Sequence, residues 1–214
     1  MIEDNNFIKH TWKSIEQESN WKDFILPKRT DKKFWQEGEL EAEHIQKIIG
    51  NENLKVLDFG CGIGRVLINI KAKELHGADA SSKFLNEMKL DINIHTYYSD
   101  GLSIIKDVDY FDFIYSIMVF QHNNKIYHGD ILKNLFRILK TNGRIYIQFP
   151  QKPNEYYIET TFVNLYEKDE LIRLFQSAGF SNISITEGNL VGYGENGEYK
   201  PKGNLEYFVT AEKK

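Results

Sequence analysis

The residues whose types and spacing indicate chemistry are a run of glycines that follows an acid, two further acids, and a histidine later in the chain. Residues 56–64, V-L-D-F-G-C-G-I-G, join apolar positions and an acid to three alternating glycines. Glycine has no Cβ, so such a turn can adopt positive φ and bring the backbone close to a ligand. We expect a phosphate or carboxylate ligand at the start of the helix after this turn, because free N–H groups point outward there.

Two kinds of nucleotide-binding site have a glycine turn of this type. A dinucleotide fingerprint needs glycine at relative positions one, three and six, but the sixth position counted from Gly60 is Arg65. The third glycine stands at position five instead, and Asp58 lies two residues before the first. This D-x-G-x-G-x-G arrangement resembles motif I of the class I S-adenosylmethionine-dependent methyltransferases, and L-D-F-G-C-G-I-G-R is similar to their first strand and turn.

Two further acids follow predicted strands. Asp79 stands nineteen residues after Gly60, where an α/β nucleotide site uses an acid to accept hydrogen bonds from the ribose hydroxyls. The resemblance assigns Asp79 that role; the alternative is a helix cap, for which Ser81 is better placed. Asp100 matches the family's acid that hydrogen-bonds the adenine amino group, although Asp-Gly pairs are also common in turns.

His122 follows the most apolar segment, residues 110–119, which predicts a central strand with its carboxyl end in the crevice. An amine free base accepts a methyl group without help, whereas a hydroxyl must lose a proton, which a histidine with a pKa of about 6.5 can take. F-Q-H resembles the arrangement in small-molecule O-methyltransferases, which makes His122 the predicted general base. A histidine that packs against the next helix is the alternative.

The resemblance implies one binding site for S-adenosylmethionine, with S-adenosylhomocysteine as the product and no metal. Its implied cofactor-binding residues are Asp58, Gly60, Cys61, Gly62, Gly64, Asp79, Ala80, Ser81, Asp100, Gly101, Ser116, Trp35 and Gly38. The last two lie in F-W-Q-E-G-E, which resembles the stretch ahead of the core in many small-molecule members. Candidate walls of the acceptor pocket are Tyr156, Tyr157 and Tyr166.

The order of predicted elements indicates an α/β fold. Helices are predicted at 34–49, 65–72, 82–90 and 168–178, and strands at 74–78, 92–97, 110–119 and 144–149. The segment L-F-R-I-L-K-T-N-G-R-I-Y-I resembles the helix, glycine turn and fifth strand that the family has at this place. The resemblance implies a three-layer αβα sandwich with a seven-stranded, mostly parallel sheet, an antiparallel last strand and an N-terminal helical lid.

Size and charge narrow the class of protein further. The chain has 214 residues, a net charge of −4 and a single cysteine, which predicts one domain over 1–214, with a lid at 1–49 and a Rossmann-like core at 50–214. Its apolar runs are shorter than the roughly 20 residues that span a bilayer, and its basic residues are scattered. We expect a cytoplasmic protein with a small-molecule substrate, and neither nucleic acid nor membrane as partner.

The function indicated by these features is methylation of a small molecule at a hydroxyl oxygen. Three alternatives stay open: N-methylation of a small amine, a non-catalytic S-adenosylmethionine-binding domain, and an NAD-dependent oxidoreductase. Cys61 is interpreted as a small packing residue in the turn, with a reactive thiol as the alternative. In place of Ser116-Ile117-Met118-Val119, enzymes that methylate the amino nitrogen of adenine, cytosine or glutamine carry Asn or Asp, Pro-Pro and an aromatic, which disfavours that chemistry.

Overall fold

The computed structural model describes residues 30–88, 94–102, 106–152, 164–188 and 206–214. Within them, one sheet contains β1 (Lys55–Phe59), β2 (Glu74–Asp79), β3 (Ile94–Tyr98), β4 (Phe111–Ser116), β5 (Leu139–Pro150), β6 (Ser181–Gly188) and β7 (Glu206–Glu212). The strand order is β3-β2-β1-β4-β5-β7-β6. Neighbours pair in parallel, except that β7 runs antiparallel to both β5 and β6. The predicted α/β sheet is confirmed.

Among the described residues, four helices flank this sheet. They are α1 (Asp31–Ile49), α2 (Ser82–Glu87), α3 (His128–Ile138) and α4 (Lys168–Ser177). Successive side chains of a strand point to opposite faces: Ile114 of β4 packs with α3 and α4, whereas Phe113 and Tyr115 pack with α1. No helix in the described ranges is long and apolar enough to cross a membrane.

Helix α1 is tied to the sheet at its carboxyl end. Gly50 ends the helix with a φ of 73°, a left-handed conformation that glycine adopts at low cost. Nη2 of Arg144 on β5 donates to the carbonyl oxygens of Ile48 and Ile49 at 3.2 and 3.1 Å. These bonds satisfy carbonyl groups that a helix end otherwise leaves unpaired, and they tie the end of α1 to β5.

The predicted helix over residues 65–72 is wrong. The chain forms only a single 3-10 turn at Leu67–Asn69 and then runs extended into β2. Alternating β-branched residues, Val66, Ile68 and Ile70, disfavour a helix. The side-chain amide of Asn69 donates to the backbone carbonyl of Arg65 at 3.2 Å, and this bond competes with the regular backbone hydrogen bonds of a helix. The turn therefore lacks the helix N-terminus at which a ligand was expected.

Other boundaries differ by a few residues from those predicted. The helix that starts at Ser82 ends at Glu87, and β3 begins at Ile94. β5 begins at Leu139, before the predicted start at residue 144. Its register against β4 shifts between Phe111 and Phe113, so the T-N-G segment lies in an irregular part of the strand.

Candidate functional site

A crevice of about 950 Å³, open to solvent, lies at the carboxyl ends of the central strands. Ligands of open α/β sheets bind at this edge. The predicted cofactor-binding residues that line it are Asp58, Gly60, Cys61, Gly62, Asp79, Ala80 and Asp100.

The glycine turn forms the floor of this crevice. The amides of Gly60 and Cys61 both donate to the carbonyl of Ala78, at 2.7 and 3.1 Å, so the end of β2 holds the beginning of the turn. Gly60 has a φ of 83°, and a Cβ at this position would collide with the side chain of Val119, which follows β4. Glycine at this position thus meets both a conformational and a steric requirement.

Asp79 fixes the second half of the turn. Its Oδ2 accepts from the amide of Gly62 and its Oδ1 accepts from the amide of Ser81, both at 2.8 Å. Hydrogen bonds to a carboxylate are among the stronger ones in proteins, and each oxygen can accept more than one donor. The same carboxylate can therefore shape the turn and accept hydroxyl groups from a ligand in the crevice.

The acid after β3 is held in a similar way. Oδ1 of Asp100 accepts from the amide of Leu102 at 3.0 Å, and the hydroxyl of Ser99 accepts from the amide of Gly101 at 3.1 Å. Both Ser99 and Asp100 line the crevice. The turn-forming role and the ligand-binding role, which were alternatives from the sequence, are thus compatible.

Asp58 and Tyr115 form a buried pair at the base of the crevice. The Tyr115 hydroxyl donates to Oδ2 of Asp58 at 2.9 Å, and only 4% of Asp58 is exposed. Burial raises the pKa of Asp58 to about 8, against a smaller lowering effect of the Tyr115 hydrogen bond. The carboxyl group is therefore largely protonated at neutral pH in this structure.

Helix α1 supplies one wall of the crevice through Phe34. Arg65 also lines the crevice, and its guanidinium donates to Oε2 of the buried Glu41 at 2.5 Å. Burial raises the pKa of Glu41, and the neighbouring Arg65 opposes that rise. A Cβ on Gly38 would collide with Arg65, so this glycine lets α1 approach the turn closely.

Several predicted cofactor-binding residues do not line the crevice. Trp35 is adjacent to the lining residue Phe34 on α1, and Gly38 contacts Arg65. Added Cβ atoms at Gly64 and Gly101 would meet Met88 and Phe59 respectively. The buried hydroxyl of Ser81 accepts from the amide of Phe84 and caps α2, and that of Ser116 donates to the carbonyl of Phe59. These residues support the crevice rather than form its surface.

The sequence did not identify part of the wall. The residues that line the crevice without having been predicted include Phe34, Ile63, Arg65, Phe84, Tyr115, Met118, Val119 and Asn123. Phe34 and Gly38 are four residues apart and share a face of α1. This spacing is the sequence signal that indicates Phe34, and not Trp35, on the side of α1 that faces the turn. The residues after β4 have no local signal, because packing against the turn after β1 decides their position.

His122 ends a 3-10 turn, Phe120–His122, between two residues that line the crevice, Val119 and Asn123. Its own side chain is half-buried and is not part of the lining. Its Nε2 lies 3.1 Å from Nε2 of Gln121. Burial lowers the pKa of the imidazole to about 4, so His122 is neutral at pH 7 and a weaker base than a solvated histidine.

Two other residues singled out from the sequence are buried. Tyr166 lies in the core, where its hydroxyl is 2.6 Å from Nδ1 of His128; it is not a wall of the crevice. Cys61 lines the floor, and burial raises the pKa of its thiol well above the usual value, which supports packing over reactivity. Tyr156 and Tyr157, and residues 1–29 of the predicted lid, lie outside the described residues.

Comparison with known proteins identifies relatives of this architecture. A family model described as a methyltransferase domain matches residues 28–185. No curated protein shows significant sequence similarity to the chain.

Solved structures share the fold at low sequence identity. A Thermotoga maritima protein described as an S-adenosylmethionine-dependent methyltransferase and possible histamine N-methyltransferase is 14% identical, with a TM-score of 0.67, covering 97% of this chain and 98% of that one. Magnesium protoporphyrin IX methyltransferase from Synechocystis PCC 6803, with bound S-adenosylhomocysteine, is 14% identical, with a TM-score of 0.65 and coverage of 96% and 94%. Haemonchus contortus phosphoethanolamine N-methyltransferase 2 is 17% identical, with a TM-score of 0.65 and coverage of 81% and 52%.

Proposed function

This chain belongs to the methyltransferase domain family and is an S-adenosylmethionine-dependent methyltransferase, and we propose that it methylates an amine nitrogen of a small molecule. The observation that carries this proposal is the division of the crevice into two parts. Its acids lie at or just after the ends of β1, β2 and β3, whereas the segment after β4 presents Ile117, Met118 and Val119.

The acidic part suits the nucleoside of the cofactor. Asp79, at the end of β2, is the proposed partner of the ribose hydroxyls, and Asp100 is the proposed partner of the adenine amino group. The glycine turn after β1 would allow the backbone to contact the amino-acid part of the cofactor closely. When bound, S-adenosylmethionine supplies an activated methyl group on a sulfonium, and its leaving group departs neutral without an acid.

The apolar part suits an acceptor that reacts as a neutral amine. Low polarity disfavours the charged ammonium and lowers the pKa of an amine, so the side chains after β4 favour the free base that attacks the methyl group. Asn123 is the one amide side chain among the lining residues described there, and it offers a hydrogen bond for orientation. Such an acceptor needs no general base from the protein.

A hydroxyl acceptor with His122 as general base is the second candidate. The position of His122 between Val119 and Asn123 favours it, because both neighbours line the crevice. Against it stands the pKa of about 4, since general-base catalysis works best when the pKa is near the operating pH. The amine is therefore the first choice.

Replacement of His122 by asparagine distinguishes the two acceptors. For an amine, turnover is expected to fall by less than about tenfold, whereas loss of a general base costs about 10²- to 10⁴-fold. The measurement is S-adenosylhomocysteine production on matched panels of small amines and small alcohols, at saturating cofactor. Turnover confined to alcohols, with a loss of the larger size, would contradict the amine proposal.

The same panels test whether the protein transfers a methyl group to a small-molecule acceptor bound in the crevice. Binding of S-adenosylhomocysteine is expected to raise the unfolding temperature, and NAD is expected to leave it unchanged. Cofactor binding without turnover on either panel would favour a non-catalytic domain instead.

Cofactor binding is expected to release a proton from Asp58. The raised pKa of about 8 leaves this group protonated at pH 7, and the positively charged cofactor favours its ionised form. The affinity for S-adenosylmethionine should therefore increase as the pH rises towards 8, by up to about tenfold per pH unit for one coupled proton. Calorimetry at pH 7 in buffers of different ionisation enthalpy measures the proton count.

The control is Asp58→Asn, which keeps an oxygen to accept from the Tyr115 hydroxyl but cannot ionise. It should abolish the proton release and flatten the pH dependence. A wild-type protein that binds the cofactor with no proton release between pH 6 and 8 would refute the coupling.

A further inference from the structure

A row of hydrogen-bonded side chains connects β5 with the segment after β4. It runs from Gln148, which is fully buried on β5, to Gln121 and His122. We propose that Gln148 is a positioning residue for methyl transfer: it holds Met118 at the crevice and, through Gln121, keeps the proton of His122 on Nδ1. The assignment to methyl transfer rests on the proposed function; the hydrogen-bond geometry does not.

The orientation of the Gln148 amide follows from a partner that can only donate. The backbone amide of Met118 lies 2.8 Å from one end of this side chain, which must therefore be the oxygen. The nitrogen end then faces Oε2 of Glu206 on β7 at 2.7 Å and Oε1 of Gln121 at 3.2 Å. A carboxylate accepts hydrogen bonds, so this second partner agrees with the orientation set by the first.

The orientation of Gln121 follows in turn. Its oxygen accepts from Gln148, so its nitrogen is the atom 3.1 Å from Nε2 of His122. An amide N–H donates, which requires a lone pair on Nε2 and leaves the proton of the neutral ring on Nδ1. The backbone amide of Met118 therefore sets the orientation of Gln148, Gln148 sets that of Gln121, and Gln121 sets the tautomer of His122.

Met118 is the second target of Gln148. Its φ of 62° is in the left-handed region, which is uncommon for a residue other than glycine and needs support from its surroundings. The bond from its amide to Gln148 supplies such support. Because Met118 lines the crevice, a change in its backbone would alter the wall near the reacting methyl group.

These contacts give His122 a role other than proton abstraction at Nε2. The Nε2 lone pair is engaged by Gln121, and a proton placed there would face another donor. A histidine held in this way orients the turn, which matches an acceptor that reacts without a base.

The tautomer can be observed directly in the wild-type protein. Long-range ¹H–¹⁵N spectra of uniformly ¹⁵N-labelled protein distinguish the two neutral tautomers of each of the six histidines. His122→Asn identifies the resonances of His122 by difference. We expect the Nδ1–H form for His122 at pH 7 without any cofactor or acceptor; the Nε2–H form would overturn the proposal.

Variants test whether Gln148 is the cause. Gln148→Met keeps the length of the side chain but removes both hydrogen-bonding ends, and should shift His122 to the Nε2–H form or a mixture. Loss of the support at Met118 should weaken S-adenosylhomocysteine binding by about three- to thirtyfold. Gln121→Met should shift the tautomer as well, with a smaller effect on binding.

Ile138→Val is the matched control, because it removes a methylene from the buried core on α3 and leaves the hydrogen-bonding groups of Gln148, Gln121 and His122 in place. It should lower the unfolding temperature and leave both the tautomer and the binding unchanged. An unchanged His122 tautomer in folded Gln148→Met, or in Gln121→Met if the first variant does not fold, would overturn the proposed role of Gln148 and Gln121. The spectra need no methyl acceptor, so they remain decisive if the proposed function fails.

Discussion

Replacement of Asp79 by alanine is expected to weaken S-adenosylhomocysteine binding by about 10²- to 10⁴-fold, since hydrogen bonds to charged groups contribute about 1.5–3 kcal/mol each. The variant loses the acceptor for the amides of Gly62 and Ser81. It also loses the carboxylate proposed to bind the ribose hydroxyls. Isothermal titration calorimetry at pH 7.5 measures the loss.

Two further variants make this result specific. Asp79→Asn keeps one oxygen acceptor and should lie between wild type and alanine, because its amide nitrogen faces a donor in place of the second oxygen. Asp130→Ala removes an exposed carboxylate on α3 that pairs with Lys133 at 3.3 Å, and should leave binding unchanged. An Asp79→Ala protein that binds within threefold of wild type would exclude Asp79 from the cofactor site.

Replacement of Gly60 by alanine should abolish measurable cofactor binding, with an expected loss of at least about hundredfold. The added Cβ would overlap the side chain of Val119 across the crevice, and the turn and the segment after β4 would have to separate. Positive φ adds about 1 kcal/mol of strain for a residue with a side chain. The measurements are affinity for S-adenosylhomocysteine and the free energy of unfolding in urea.

Gly50→Ala provides a matched control for the strain. Gly50 has a φ of 73°, close to the 83° of Gly60, but the nearest atom to its added Cβ is a carbonyl oxygen 3.9 Å away. It should lose about 1 kcal/mol of stability and bind the cofactor like the wild type. Equal binding losses in the two variants would show that stability, and not the steric fit at Val119, explains the effect of Gly60→Ala.

The part of the site that could be predicted from the sequence is the part encoded by local order. The glycine turn, Asp79 and Asp100 each stand at a strand end, and the carboxyl ends of parallel strands meet at one edge of a sheet. A strand pattern with a glycine turn therefore fixes both the place and the chemical type of these residues. The α/β fold followed for the same reason, because strand and helix periodicities alternate along the chain.

The local signal misled where packing or side-chain competition decided the conformation. Residues 65–72 had an apolar face suited to a helix, yet β-branched residues and the Asn69 side chain leave a single turn. The resemblance indicates Trp35, whereas the packing of α1 against Arg65 at Gly38 accompanies a crevice lined by Phe34 and not by Trp35.

The sequence by itself determined most of the strands, the glycine turn and the acids that follow the strands, because these depend on neighbours within a few residues; the seven-stranded sheet was implied by the resemblance. Tertiary structure alone decided the base of the crevice and the state of His122. Tyr115 reaches Asp58 from 57 residues away, and Gln148 is 27 residues from Gln121. Burial in the folded chain raises the pKa of Asp58 and lowers that of His122. Desolvation and hydrogen-bond direction are properties of the assembled fold, and no local spacing of residues encodes them.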